Sequence, residues 1–135
     1  MTKRMTISAG ITAAITVAAL GTLAAQAPQF KRTILQQHDL SAPGREVVMA
    51  AVEFPAGSET GRHTHPGEEI SFVEAGPFVL EIEGQPAKTL QTGEPFFVPA
   101  GTIHNGHPAA GKTAKVVATY VVEKGKPVST PAPAK

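Results

Sequence analysis

Three histidines and one glutamate stand at spacings that could assemble a chemical centre: His63, His65, Glu69 and His104. His63 and His65 are two residues apart, so on an extended strand both imidazoles leave the same face. Pro66 and Gly67 then permit a turn, after which Glu69 re-enters on a neighbouring strand with the same parity, followed by Ser71 and Val73. A third imidazole, His104, follows a second turn built by Pro99 and Gly101. If the shared face lines the interior of a barrel, the four groups converge. Three neutral imidazoles and a carboxylate suit one divalent transition metal, Fe, Mn, Ni, Co, Cu or Zn, with one or more positions left to water or substrate. Such a centre is a Lewis acid.

The remaining titratable groups near these positions are weaker candidates for chemistry. Glu68 has the opposite strand parity to Glu69 and reads as a solvated or barrel-mouth carboxylate, or else as a general base. His107, three residues after His104 in a stretch of glycine and proline, reads as a surface loop residue or a substrate contact. His38, beside Asp39 and ahead of a turn, is expected to be exposed and uninvolved. The chain has no cysteine, which excludes disulfides, thiolate-held iron–sulfur clusters, a Cys nucleophile and any zinc site that needs sulfur.

The elements that must position these groups are strands. With 13 glycines and 12 prolines in 135 residues, turns are frequent and long helices are disfavoured. Residues 28–44 read as a lead-in with one short strand around Thr33 to Gln36, closed by a turn at Ser41, Ala42, Pro43 and Gly44. Residues 45–123 then alternate short apolar runs with turn signals every 8 to 12 residues, the pattern of an all-β sandwich or barrel. Phe78, Leu80 and Ile82 share one face of their run, and Val116, Ala118, Tyr120 and Val122 share one face of the longest run, Lys112 to Glu123. Gly57, Gly76, Gly93 and Gly101 each end an apolar run, where a tight turn calls for positive φ. Phe54, Phe72, Phe78, Phe96, Phe97 and Tyr120 are expected mostly in the core, and the inward positions carry almost no charge besides Glu69, which implies an apolar pocket for a small organic ligand. Residues 124–135, rich in proline and alanine, have little to bury and read as a flexible tail.

Residues 1–27 read as a signal peptide: Lys3 and Arg4, an uncharged stretch from Ile7 to Leu23, then Ala24, Ala25 and Ala27. Cleavage is expected after Ala24, Ala25 or Ala27, giving a periplasmic or secreted protein with no membrane span after processing. An uncleaved anchor is the alternative, but the stretch falls short of the roughly 20 apolar residues that a span needs. The full chain carries 12 Lys and Arg against 11 Asp and Glu, scattered rather than clustered, which gives no footprint for nucleic acid.

The constellation and its glycines resemble the cupins. The family's first motif is Gly, five residues, His, one residue, His, three or four residues, Glu, six residues, Gly, and Gly57, His63, His65, Glu69 and Gly76 stand at those intervals. In the second motif Gly93, Pro99, Gly101 and His104 match, and Pro108 replaces the final Asn. The short spacing from Gly76 to Gly93 is similar to that of compact microbial single-domain cupins. The resemblance implies a double-stranded β-helix, or jelly-roll, barrel with one metal held by His63, His65, Glu69 and His104. It also implies pairing as a homodimer through an edge strand, which the lead-in at Lys31 to Gln37 could supply. Cupins carry many chemistries, so the fold fixes no reaction. Three expectations follow: a dioxygenase-like oxidoreductase acting on a small organic substrate, a non-catalytic binder of a metal and a small molecule, or a metal-dependent isomerase or decarboxylase using Glu68 or His107 for proton transfer.

Overall fold

A computed structural model describes residues 26–134, so the expected export segment falls almost wholly outside the described residues. The described residues contain no helix, and accordingly none long and apolar enough to cross a membrane. They form ten strands: β1 (Lys31–Asp39), β2 (Arg45–Phe54), β3 (His63–Thr64), β4 (Gly67–Ala75), β5 (Phe78–Ile82), β6 (Lys88–Leu90), β7 (Pro95–Val98), β8 (His104–Pro108), β9 (Ala114–Glu123) and β10 (Thr130–Pro131). Two antiparallel five-stranded sheets result, ordered β1-β2-β9-β4-β7 and β10-β3-β8-β5-β6. This is the all-β architecture that the turn spacing predicts, in the jelly-roll form that the resemblance implies.

The long sheet is held in register by alternation. β2 and β9 pair without a bulge from Arg45–Glu123 to Phe54–Ala114, so a slip of one residue would turn every buried side chain outward. Val48, Ala50, Val52 and Phe54 of β2 and Ala114, Val116, Ala118, Tyr120 and Val122 of β9 all point inward. They meet Phe78, Leu80 and Leu90 from the second sheet in one hydrophobic cluster. One inward rung runs across four strands, from Val48 to Tyr120 to Glu69 to Val98, and carries the site glutamate into the interior.

Several expectations need correction. The lead-in strand is longer than Thr33–Gln36: it spans Lys31–Asp39 and forms the edge of the long sheet against β2. Residues 124–135 are not simply a flexible tail. Thr130 and Pro131 pair with Thr64 and His63, the Ala132 amide donates to the Arg62 carbonyl at 2.9 Å, and Val128 packs on the core. The stretch from His104 to Pro108 is a strand, not a loop, because β5 supplies it with a full ladder; Gly106 is needed there since a Cβ would lie 2.5 Å from the Phe78 ring. Among the glycines, Gly57, Gly93 and Gly101 do take positive φ, but Gly76 does not. At Gly76 the constraint is space, with Val73 Cγ1 at 3.0 Å from where a Cβ would sit. Phe72 and Phe97 are not core residues: they stand 43% and 53% exposed on the outer face of the long sheet beside Ile70.

Candidate metal centre

His63 on β3 and His104 on β8 are direct register partners, so adjacent strands present their rings on one face. His65 leaves β3 two residues later with the same parity, and Glu69 enters from β4 in the opposite sheet. All four side chains are buried. The ligand atoms of His63, His65 and His104 lie within 4.8 Å of one another. Glu69 Oε2 stands 3.1 Å from His65 Nε2 and 3.4 Å from His104 Nε2. The four residues singled out by spacing are therefore brought together.

The outer nitrogens fix the tautomers. A carbonyl only accepts, so each Nδ1–H donates: His63 to Gly61 O at 2.8 Å, His104 to Thr102 O at 2.9 Å, and His65 to Val128 O. In a neutral ring that leaves Nε2 as the lone-pair side. The Nε2 atoms of His63 and His65 nonetheless face each other at 3.3 Å. Two lone pairs at that separation beside a carboxylate repel, and a cation between them, either a proton on one ring or a metal ion, relieves the repulsion. Backbone carbonyls that orient imidazoles from behind are the usual support of a metal-binding histidine. The donor set thus fits a divalent transition metal on grounds of chemistry and geometry.

Electrostatics agree. Burial, followed by the adjacent His104 ring, lowers the His63 imidazole to about 4, so it is neutral at pH 7. Burial pulls the Glu69 carboxyl upward, but hydrogen bonds from His104 and His65, which these rings donate only when Nε2 also carries a proton, outweigh it and hold the group at about 2, ionised. Ser71 Oγ donates to Glu69 Oε1 at 2.8 Å and fixes the carboxylate. The Tyr120 ring packs 4.7 Å from that of His65. Burial, reinforced by the Glu69 charge, raises the Tyr120 phenol well above its ordinary value, so it stays protonated.

Beside these groups lies a cavity with about 20 Å³ of space for water, walled by Phe54, Phe78, Phe96, Thr60 and Tyr120. That is room for roughly one water molecule. Glu68 and His107 do not line it. Glu68 pairs with Val121 on the outward parity of β4, and His107 Nε2 lies 3.8 Å from Glu81 on the outside of the second sheet. Asn105, which stands near the position where the second motif loses its Asn, donates to Glu59 and Glu81 at 2.7 and 3.1 Å and so pins the loop ahead of β3.

Three features escape sequence reasoning. Val128 O belongs to a segment with no hydrophobic pattern, and only its pairing with β3 brings it to His65. Tyr120 is legible as core but not as a neighbour of the histidines. Arg32, in the lead-in, lines the cavity because its register partner is the inward-facing Val52, an inward charge beyond Glu69 that the sequence reading does not name.

Comparison with known proteins places this geometry in a family. Over 62 residues, 46% of this chain, the sequence is 40% identical to the dimethylsulfoniopropionate lyase DddQ of Ruegeria pomeroyi; the aligned stretch spans 28% of that protein. The crystal structure of the same lyase superposes with a TM-score of 0.58 at 26% identity, covering 63% of this chain and 42% of the lyase. An oxalate oxidase in complex with the substrate analogue glycolate gives 0.53 at 25% identity, covering 59% of this chain and 44% of the oxidase. A cupin superfamily protein from Desulfitobacterium hafniense gives 0.60 at 19% identity, covering 75% and 84% of the two chains, and is similar in fold. The Cupin domain family matches residues 50–131, from the middle of β2 through β10, and so takes in every one of the converging histidines and Glu69. By that match and by its fold, the chain belongs to the cupin family.

Proposed function

We propose that this cupin is a mononuclear metal enzyme, a dioxygenase-like oxidoreductase acting on a small organic substrate, with His63, His65, Glu69 and His104 holding the metal. The observation that carries the reading is the pair of Nε2 atoms 3.3 Å apart, backed by donated Nδ1–H groups and flanked by an ionised carboxylate. A bound divalent transition metal supplies Lewis acidity and, for Fe, Mn, Co, Ni or Cu, redox capacity.

The chain's own residues do the rest. Phe54, Phe78 and Phe96 exclude bulk water from the cavity and so strengthen every charge interaction inside it. Tyr120 keeps its proton and can donate it as a hydrogen bond to a substrate oxygen. The absence of Glu68 and His107 from the cavity favours this reaction class over an isomerase or decarboxylase that relies on them for proton transfer. A second reading, a metal-dependent lyase, is favoured by the likeness to a protein named as a lyase. Export to the periplasm and pairing of two copies along the β1 edge belong to the same proposal.

Elemental analysis of the purified protein, beside a His63→Ala, His65→Ala variant, tests the centre. Near-stoichiometric metal in the first and none in the second is expected. An oxygen electrode with a panel of catechols, flavonols and diketones tests the reaction. Metal-dependent oxygen uptake supports the oxidoreductase. Substrate cleavage without oxygen uptake replaces it with the lyase, and ligand-dependent thermal shifts without turnover replace it with a non-catalytic binder.

A further inference from the structure

Arg32 carries a charge that no carboxylate among the described residues pairs with. On β1 it is the register partner of Val52, whose side chain is buried, so the arginine enters the same interior. It lines the cavity together with Tyr120, His63, Glu69 and His104. Its guanidinium carbon lies 5.5 Å from the centre of the Tyr120 ring and 5.7 Å from that of Phe30, held between two aromatic faces. Nε is buried with no hydrogen-bond partner, and among the described residues no carboxylate comes within ion-pair distance of this side chain. A buried guanidinium N–H without an acceptor is costly, and such groups ordinarily find one.

Charge points the same way. Three neutral imidazoles and one carboxylate leave a divalent ion with a surplus of one positive charge, and Arg32 adds another, in a cavity walled by aromatic rings. An anion is the ligand that balances it. The planar guanidinium fork matches a carboxylate in particular. The free space beside it, about 20 Å³, is room for about one water molecule, so a short acid displaces less of the surrounding wall than a bulky one. Arg32 also lies outside residues 50–131, so it is a feature of this chain's lead-in and not of the matched family region.

We propose that Arg32 is the specificity-determining residue of this centre, receiving the carboxylate of a short organic acid whose remaining atoms lie toward the histidines. This deepens the metal-centre reading and rests on it. The test is calorimetric binding of propionate and of its neutral isostere propionamide to the metal-loaded protein, in wild type, Arg32→Gln and Arg32→Lys, with metal content measured on each sample. Propionate is expected to bind wild type, to weaken about 30-fold in Arg32→Gln and less in Arg32→Lys, as expected for loss of a hydrogen bond to a charged group, while propionamide binds weakly throughout. Metal content stays equal in all three. Equal propionate affinity in wild type and Arg32→Gln, or equal affinity of wild type for propionate and propionamide, with metal bound, overturns this inference alone. A wild-type protein that holds no metal overturns the metal-centre reading and this one with it.

Discussion

Removing the chain after Lys126 should weaken metal binding although no proposed ligand is touched. The deletion takes away Val128 O, the acceptor for His65 Nδ1–H, together with the Thr130–Thr64 and Pro131–His63 pairs and the Ala132–Arg62 hydrogen bond that hold β3 in place. Without that acceptor the His65 ring can carry its proton on Nε2, where it blocks ligation, and the ring can rotate. Loss of such a partner behind a metal-binding histidine typically costs 10–100-fold in affinity, or roughly 1.4–2.7 kcal/mol. Val128 is only partly buried, so its lost packing adds less than the roughly 1.5 kcal/mol of a fully buried valine to the destabilisation of the apoprotein. Zinc competition against a chromophoric chelator reads the affinity, and apoprotein melting reads the stability. A second truncation after Ser129 keeps the carbonyl while removing β10, and should lose distinctly less affinity. If the shorter chain folds and binds zinc as tightly as the full chain, the carbonyl does not orient His65 and the reasoning fails.

Stability of the chelated protein should fall with acid. His63 is lowered from 6.5 to about 4 and Glu69 from 4.5 to about 2, so in both cases the unfolded chain binds the proton more readily. The contribution is full above about pH 6.5, declines as His63 titrates toward pH 4 and declines further as Glu69 titrates toward pH 2, with a loss on the order of 3 kcal/mol for the His63 step. Urea unfolding between pH 7 and 4 checks it, and a flat profile would remove the claim. Gly67→Ala should destabilise by about 2 kcal/mol or more, since a Cβ there would stand 1.9 Å from Val121 O in the paired strand and the sheet must part to admit it. An unchanged melting temperature would contradict that geometry. Glu69→Gln, which preserves volume and the Ser71 contact while removing the charge, should reduce zinc affinity at least about 10-fold, and equal affinity would exclude Glu69 from the donor set.

How much of this was legible beforehand depends on pattern. β2, β5 and β9 alternate buried and less buried positions, and each appears where an apolar run bounded by turn residues predicts it. His63, His65, Glu69 and His104 could be grouped from parity and turn chemistry alone. β8 could not be read, because Asn105, Gly106 and Pro108 carry the composition of a turn and owe their extended form to the β5 ladder and the Phe78 ring. β10 was hidden for a similar reason: two residues in a proline-rich stretch become a strand only when a neighbour offers hydrogen bonds. Arg32 sits in a strand whose other residues are exposed, so its inward course follows from pairing with β2 and from nothing local.

The grouping of ligands from β3, β4 and β8 also changes the polymer physics of the chain. An ion held by His63 and His104 is a reversible cross-link across a loop of roughly 40 residues. By the loop-entropy argument used for disulfides, a closure of that length is worth about 4 kcal/mol. A sequence with no cysteine would thereby acquire through a metal the topological restraint that other small domains acquire through sulfur. The restraint would answer to metal supply and chelation rather than to redox poise. Metal loading should then raise the unfolding midpoint and bring the two sheets, which share few backbone hydrogen bonds, into a single cooperative transition.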